Sequence, residues 1–584
     1  MKRNQFKPVA LVAIAAILLS GCSGLNKMKK NAGQINFKVT PEILETHAGE
    51  VGVAITGRFP QAYFNKRVTL TATPVLEYEG GKTSFKSVTV QGENVEANNK
   101  VISYNGGSFS YKDAVAFKKA MAKSELKVNI TASQGTKSVD FDPIKIADGV
   151  LATSERVVMA PKAVLGVVRE KNNSGKYNPN TDVFQRIVPD EKTADIHYLI
   201  NRAKVRKSEV ESADVTAFED YTQKANENER VNLKDVKISA YASPDGELER
   251  NFKLAEQRKE TSTAFLAKKL KKAGVDVELK TRYTPEDWDG FKTLMEKSNI
   301  QDKDLILRVL SMYNDPEVRE REIRNLSTAF NEIAEEILPQ LRRAKLTVDV
   351  DLIGKTDEEL KAAAKSNPAS LNPAELLYAA TLFEDLGDQL DVYKAFTQNY
   401  PNDWRGPNNV GYVLVKQMKY AKAKPYFVQA EKLNNASPIV KNNLGAVTIS
   451  EGNTADAESL LGAATGAGNE VNYNLGIVCL KKAEYDKAVR CFKLSQYRDA
   501  NTGLAKLLTD DNNGALSDLD AFAKDCYMKE YLKAVVGART NNSSLVYESL
   551  AKAIKLNPEM KDAAKVDLEF AKYFSDAKFQ AILD

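Results

Sequence analysis

Four cysteines and two histidines are the rarest residues of this chain that could ligate a metal or do nucleophilic and acid–base chemistry. His47 and His197 stand far apart, and no HExxH, paired CxxC, GxSxG or phosphate-binding loop motif occurs. Cys479, Cys491 and Cys526 each fall in an apolar stretch of helical spacing, where a thiol behaves as a small core hydrophobe. With Cys22 set aside, three cysteines cannot all pair within one chain, and their spacing is no disulfide framework. Carboxylates are plentiful, and a pair of them could hydrolyse a glycoside. No pair sits in a recognisable catalytic setting. The sequence therefore predicts no catalytic residue, no metal and no cofactor.

Cys22 is of another kind. Lys2, Arg3 and Lys7 precede an apolar run, Val9 to Leu19, that is too short to span a bilayer. Small residues follow at Ser20 and Gly21, which is the layout of a signal peptide over residues 1–21. Leu19-Ser20-Gly21-Cys22 resembles the bacterial lipobox. The resemblance implies that Cys22 is the mature N-terminus and carries lipid, with several acyl chains giving stable anchoring. Residues 22–32 read as a polar, basic tether containing Lys27, Lys29 and Lys30. Surface lipoproteins of the Bacteroidetes carry acids just after the cysteine. None stands here, which implies an outer-membrane protein facing the periplasm.

Composition sets further bounds. A length of 584 residues calls for two to four domains, and 43% hydrophobic with 28% charged residues is globular. The net charge of +5 falls to +2 when Lys2, Arg3 and Lys7 leave with the signal. That is no footprint for nucleic acid. The elements predict a multidomain chain. Residues 33–165 alternate in short Val-, Ile- and Thr-rich runs such as Val51–Ile55 and Leu126–Ile130. With turns at Gly80-Gly81 and Gly106-Gly107, they predict an antiparallel β-sandwich-like domain. A linker, 166–190, leads to an α/β domain over 191–355. There a strand Asp195–Asn201, a strand Val236–Ala242, a turn and a helix closed by Gly274 follow in order. A second linker, 356–371, precedes an all-helical region, 372–584.

In the α/β domain, Tyr241-Ala242-Ser243-Pro244-Asp245-Gly246 followed by Asn251, Leu254 and Arg258 resembles the OmpA C-terminal-like domain. That family binds peptidoglycan, its aspartate and arginine gripping the zwitterionic end of diaminopimelate. The chemistry is sound, since a guanidinium takes a carboxylate in a fork and an aspartate takes an ammonium. Backbone N–H groups at the helix start add donors. The resemblance implies a site of Ser243, Asp245, Asn251 and Arg258. One departure matters: the family's aspartate position holds Ser243, and Asp245 lies two residues later. Ser-Pro-Asp-Gly turns look like the Bacteroidetes branch, as do Glu286-Asp287-Trp288 opening a helical insert and Leu338–Ala344 leading to a last strand.

The helical region repeats. Gly411, Ala423, Phe427 and Ala430 recur as Gly445, Ala457, Leu461 and Ala464, then as Gly476, Ala488, Phe492 and Ser495, at offsets of 12, 16 and 19. The first two copies lie 34 residues apart, and a weaker copy uses Ala534, Val546, Leu550 and Ala553. This period resembles the tetratricopeptide (TPR) repeat, whose copies stack into a solenoid with a concave groove for proteins. The expected groove residues are Asn408, Tyr412, Lys416, Asn442, Tyr473 and Lys481, and Lys561–Leu583 should form a capping helix.

Together these readings predict a non-catalytic, lipid-anchored scaffold that holds peptidoglycan and recruits a protein partner through the repeats. The alternative is a pure protein-interaction subunit of an envelope machine whose OmpA-like fold has lost its ligand.

Overall fold

The structure, a computed structural model, describes residues 24–166, 169–170, 183–325 and 327–584. Cys22 and the expected signal sequence lie outside the described residues, as does most of the expected linker 166–190. The chain divides into two compact units, residues 1–166 with 384–584, and residues 167–383.

The first unit begins with a helix over residues 24–30, where the sequence suggests a tether. Leu25 and Met28 are buried, and the Tyr63 hydroxyl donates to the Met28 carbonyl at 2.9 Å. Two apolar residues three apart give this short helix one sticky face, and that face docks it. Next comes a single eleven-stranded curled sheet rather than two separate sheets. Ile43–His47 makes it continuous, pairing antiparallel with Glu50–Phe59 on one side and parallel with Ile144–Leu151 on the other. Period-two burial along Glu50–Phe59 and Ser124–Gln134 puts Val51, Val53, Ile55, Leu126, Val128 and Ile130 inside. The turns expected at Gly80 and Gly106 both hold glycine at positive φ.

The C-terminal part of this unit is all-helical and resembles a TPR solenoid. Among the described residues, five antiparallel helix pairs follow one another: Arg405–Lys416 with Tyr420–Leu433, Pro438–Ser450 with Thr454–Gly462, Asn469–Lys481 with Tyr485–Ser495, Ala500–Leu507 with Asn512–Ala521, and Tyr527–Arg539 with Ser543–Leu556. The recurrent glycines are where paired helices touch. A Cβ on Gly411 would meet the Phe427 ring at 2.5 Å, and one on Gly476 the Phe492 ring at 2.5 Å. The fourth pair is a copy the sequence reading passes over: Gly503, Ala515 and Leu519 keep the offsets of 12 and 16. It begins only 27 residues after Gly476, so a search at a fixed period misses it. The cap is two short helices, Glu559–Val566 and Ala577–Leu583, instead of one.

The second unit holds a four-stranded sheet in the order Ile187–His197, Arg343–Ile353, Val231–Tyr241, Leu279–Thr284, the last pair parallel. The first strand starts and ends earlier than expected, because Ile187–His197 pairs along its whole length with Arg343–Ile353. Helices Ala213–Glu227 and Leu248–Lys272 contribute Phe218, Leu266 and Leu270 to a core with Ile196, Val236, Ile238, Leu346 and Val348. The expected insert is present, opened by Asp287, whose side chain accepts from the Gly290 N–H. It has its own core of Phe291, Met295, Ile306, Ile333, Ile337 and Leu341. Within the expected linker 356–371, Asp357–Ser366 is a helix set by a Thr356/Glu359 capping box.

Candidate functional site

Two places bring polar side chains together with purpose. The first is the concave face of the helical array. Asn409, Asn443, Asn474 and Asn501 sit on the first helices of successive pairs, and each stands two residues before the recurrent glycine. All four are buried. Their occupant is the chain's own segment 156–166, which leaves the curled sheet and runs along this face outside any strand or helix, with a tight turn where the Ala160 N–H donates to the Val158 carbonyl at 2.8 Å.

Each carboxamide grips one residue of that segment through both of its main-chain groups. Asn501 Oδ1 accepts from the Val158 N–H at 2.8 Å, and Asn501 Nδ2 donates to the Val158 carbonyl at 2.9 Å. Asn474 treats Lys162 the same way, at 2.7 Å in both directions. Asn443 holds Val164 at 2.6 and 2.7 Å, and Asn409 holds Gly166 at 2.8 and 2.8 Å. A carboxamide has one donor side and one acceptor side, so it can close such a pair, whereas a carboxylate or an ammonium cannot. Gly166 fits closely, since a Cβ there would stand 3.1 Å from Asn409 Oδ1 and 3.3 Å from the Trp404 ring, and those side chains would have to shift slightly to admit one.

Of the expected groove residues, Asn408, Asn442 and Tyr473 stand against the segment. Asn408 and Asn442 form a second row, donating to the Val164 and Lys162 carbonyls at 3.3 and 3.1 Å. They also link the clamps, since Asn443 Nδ2 donates to Asn408 Oδ1 at 2.8 Å and Asn474 Nδ2 to Asn442 Oδ1 at 3.0 Å. Tyr473 places its ring 4.2 Å from the Lys162 ammonium, with Tyr497 at 4.6 Å on another side. The two tyrosine hydroxyls donate to Asp499 and Glu470 at 2.6 and 2.8 Å, adding negative field. Burial pushes the Lys162 ammonium below the ordinary lysine range, against the pull of Asp499. Lys481 reaches Glu155 at 4.0 Å, at the root of the segment. Lys416 instead lies over the Tyr412 ring at 5.5 Å. At the other end Arg156 stacks on Tyr531 at 4.0 Å, donates to its hydroxyl at 3.0 Å and pairs with Asp567.

The sequence signal for the clamps is Asn-x-Gly in each of the first four repeats: Asn409, Asn443, Asn474 and Asn501 before Gly411, Gly445, Gly476 and Gly503. Asn408, Asn442 and Tyr473 stand one residue earlier, so a register based on them alone finds the supporting row and misses the gripping one.

The second place is the turn after Val231–Tyr241. Ser243 and Asp245 come together there, the serine hydroxyl donating to the carboxylate. Arg342 closes on both, Nε to Ser243 at 3.2 Å and Nη2 to Asp245 at 3.1 Å. Asn251 donates to the Gly246 carbonyl at 2.9 Å and so fixes the turn. Arg258 does not join them. It is 1% exposed, and its guanidinium donates to the Tyr241 carbonyl at 2.8 Å, the Arg202 carbonyl at 3.1 Å and the Leu199 carbonyl at 3.5 Å. Burial pushes it down to about 10, so it is still cationic at neutral pH. The buried face of its helix runs Asn251, Ala255, Arg258, Ser262, Leu266, Leu270, while Leu254 is half-buried and Ala264 exposed. Apolar periodicity alone cannot find a face that is half polar.

Among the described residues there is no cluster of His, Cys, Asp or Glu that could hold a metal, and no helix long and apolar enough to cross a membrane. No protein-family model matches the chain, and no curated protein does. Solved structures similar to it include a tetratricopeptide repeat protein from Parabacteroides merdae, 17% identical over 36% of this chain and 91% of that one, with a TM-score of 0.29. Pseudomonas aeruginosa pilF is 14% identical over 39% and 98%, with a TM-score of 0.27. YrrB, a TPR protein with an unusual peptide-binding site, is 18% identical over 37% and 100%, with a TM-score of 0.22. At those scores the likenesses transfer nothing to this chain, and its repeat architecture rests on its own helix pairs.

Proposed function

We propose that this chain is a non-catalytic scaffold whose helical repeats serve protein–protein interaction, held by lipid on Cys22 at the periplasmic face of a bacterial outer membrane. One observation carries the interaction reading. The first helices of successive repeats carry asparagines that grip main-chain N–H and C=O groups of a segment outside regular structure, which is the chemistry of peptide recognition. The lipobox-like residues before Cys22 support the anchor. In intact cells, a photo-crosslinker at exposed solenoid positions such as Met418 or Leu494 should yield a discrete adduct with one partner. Adducts no more frequent than from a random surface position would overturn the scaffold reading. Cys22→Ser should leave the membrane fraction, and an unchanged distribution would overturn the anchor.

The central unit is read as an OmpA C-terminal-like domain whose ligand site is closed. Arg258 is committed to main-chain carbonyls and Asp245 to Arg342, so neither charge of the expected pair is free. This supports the pure interaction subunit over the cell-wall tether. The tether keeps one supporting observation: the Asp245 and Arg342 side chains are 19% and 11% exposed, so an anion and a cation stand side by side at the turn. A pull-down on purified sacculi separates the two. Co-sedimentation abolished by Asp245→Asn and Arg342→Ala would establish the tether, and failure of the wild-type protein to sediment would sink it.

A further inference from the structure

We propose that the chamber of Tyr473 and Tyr497, backed by Asp499 and Glu470, is a lysine-reading subsite of a peptide groove that Lys162 fills in cis. A partner's segment carrying a lysine at that register takes its place. This rests on the interaction reading above and names the partner's chemistry.

Three features of the groove support exchange. The asparagine clamps touch only main-chain atoms at Val158, Lys162, Val164 and Gly166, so their hydrogen bonds read no side chain. Selectivity must come from side chains, and Lys162 enters a chamber of its own, apart from the one that holds Arg156. Two aromatic faces lie 4.2 and 4.6 Å from its ammonium, and both rings are polarised by hydroxyl-to-carboxylate hydrogen bonds. Finally, segment 156–166 belongs to no strand or helix and joins the curled sheet to the rest of the chain. Its removal from the groove takes apart no regular element. Being tethered, it competes at high effective concentration, so the resting groove is closed to free peptide and opens only to a partner that outcompetes it.

The test uses the full chain and a fluorescein-labelled peptide of residues 154–168. In a chain carrying Arg156→Ser and Lys162→Asp, fluorescence anisotropy should show peptide binding at least tenfold tighter than to the wild-type chain. A peptide with Lys162→Ala should bind the opened chain at least tenfold more weakly than the native peptide. A folded opened chain that ignores the peptide, or binds both peptides equally, overturns the proposal. Should the opened chain fail to fold, hydrogen exchange on the wild-type chain decides. Amides of Val158, Lys162, Val164 and Gly166 should be at least tenfold less protected than those buried in helix Pro438–Ser450. Equal protection would make the segment a permanent part of the core and overturn the proposal. If the peptide experiments fail while crosslinks from Met418 or Leu494 still trap a partner, only the groove inference falls. If both fail, the scaffold reading falls with it.

Discussion

Asn443 gives the sharpest test of how the solenoid holds its segment. In Asn443→Ala the Val164 N–H loses its acceptor at 2.6 Å, and Asn408 Oδ1 loses its donor at 2.8 Å. The Val164 carbonyl keeps Asn408 at 3.3 Å, and Asn442 keeps the Lys162 carbonyl at 3.1 Å. Two buried groups are therefore orphaned, at about 1–3 kcal/mol each. Water reaching the half-buried segment offsets part of this, so a loss of about 2–4 kcal/mol is expected. Asn443→Asp keeps the shape and an acceptor for the N–H, but its ionised form has no proton for the Val164 carbonyl or Asn408. Burial favours the protonated acid, so the folded-state pKa should lie above the unfolded value of about 3.9. The folded state then binds more protons between those two values, and stability falls as pH rises through that window. Asn443→Asp should thus be milder at pH 5 than at pH 8, whereas the cost of Asn443→Ala should not change. Trp404 lies beside Gly166 and Trp288 in the other unit, so a Trp288→Phe background leaves one reporter on the solenoid. Urea unfolding followed by Trp404 emission should show a lower midpoint at unchanged slope. Both variants within about 0.5 kcal/mol of the parent at both pH values would refute the clamp argument.

Other expectations follow from single contacts. Gly476→Ala drives a Cβ to 2.5 Å from the Phe492 ring, so overpacking should cost about 1–3 kcal/mol, read as a lower Tm of the helical transition. Arg258→Ala should destabilise the central unit by at least about 3 kcal/mol, because three carbonyls lose a charged donor, and a soluble variant of native stability would contradict that role. Cys491 should be the fast thiol. The hydrogen bond from Cys479, with Lys487 nearby, lowers it to about 7, while the same contact and burial push Cys479 up. Alkylation at Cys491 should accelerate as pH rises through about 7, and mass spectrometry finding Cys479 modified first would reverse the assignment.

The repeats were legible because close helix contact demands small residues at Gly411, Gly445 and Gly476, and that demand recurs at fixed offsets. The β-region was legible because its strands bury one face, so Val51, Val53 and Ile55 alternate with exposed neighbours. The single curled sheet was not, since it depends on Ile43–His47 pairing with a strand about a hundred residues on. Local pattern carries no such register. Segment 156–166 was hidden for the same reason: it reads as the end of the β-domain until Asn409 and Asn501 are brought to it. Arg258 shows the converse difficulty. A charged residue at a family position reads as a ligand contact, yet its partners are carbonyls that no sequence marks.

The distance in sequence between the segment and its clamps has a consequence for synthesis. Val158 and Asn501 are 343 residues apart. At roughly 5–20 residues per second, the ribosome needs roughly 20–70 s to deliver the last clamp after it has made the first residue to be clamped. The clamps arrive in turn, Asn409 first and Asn501 last, and until each is made the main-chain groups it will hold wait unclaimed while the central unit is made. The solenoid is then assembled around a thread already in place. Its completion is the last event in building the first unit, so C-terminal truncations should strand the N-terminal half of that unit as well as the repeats they remove.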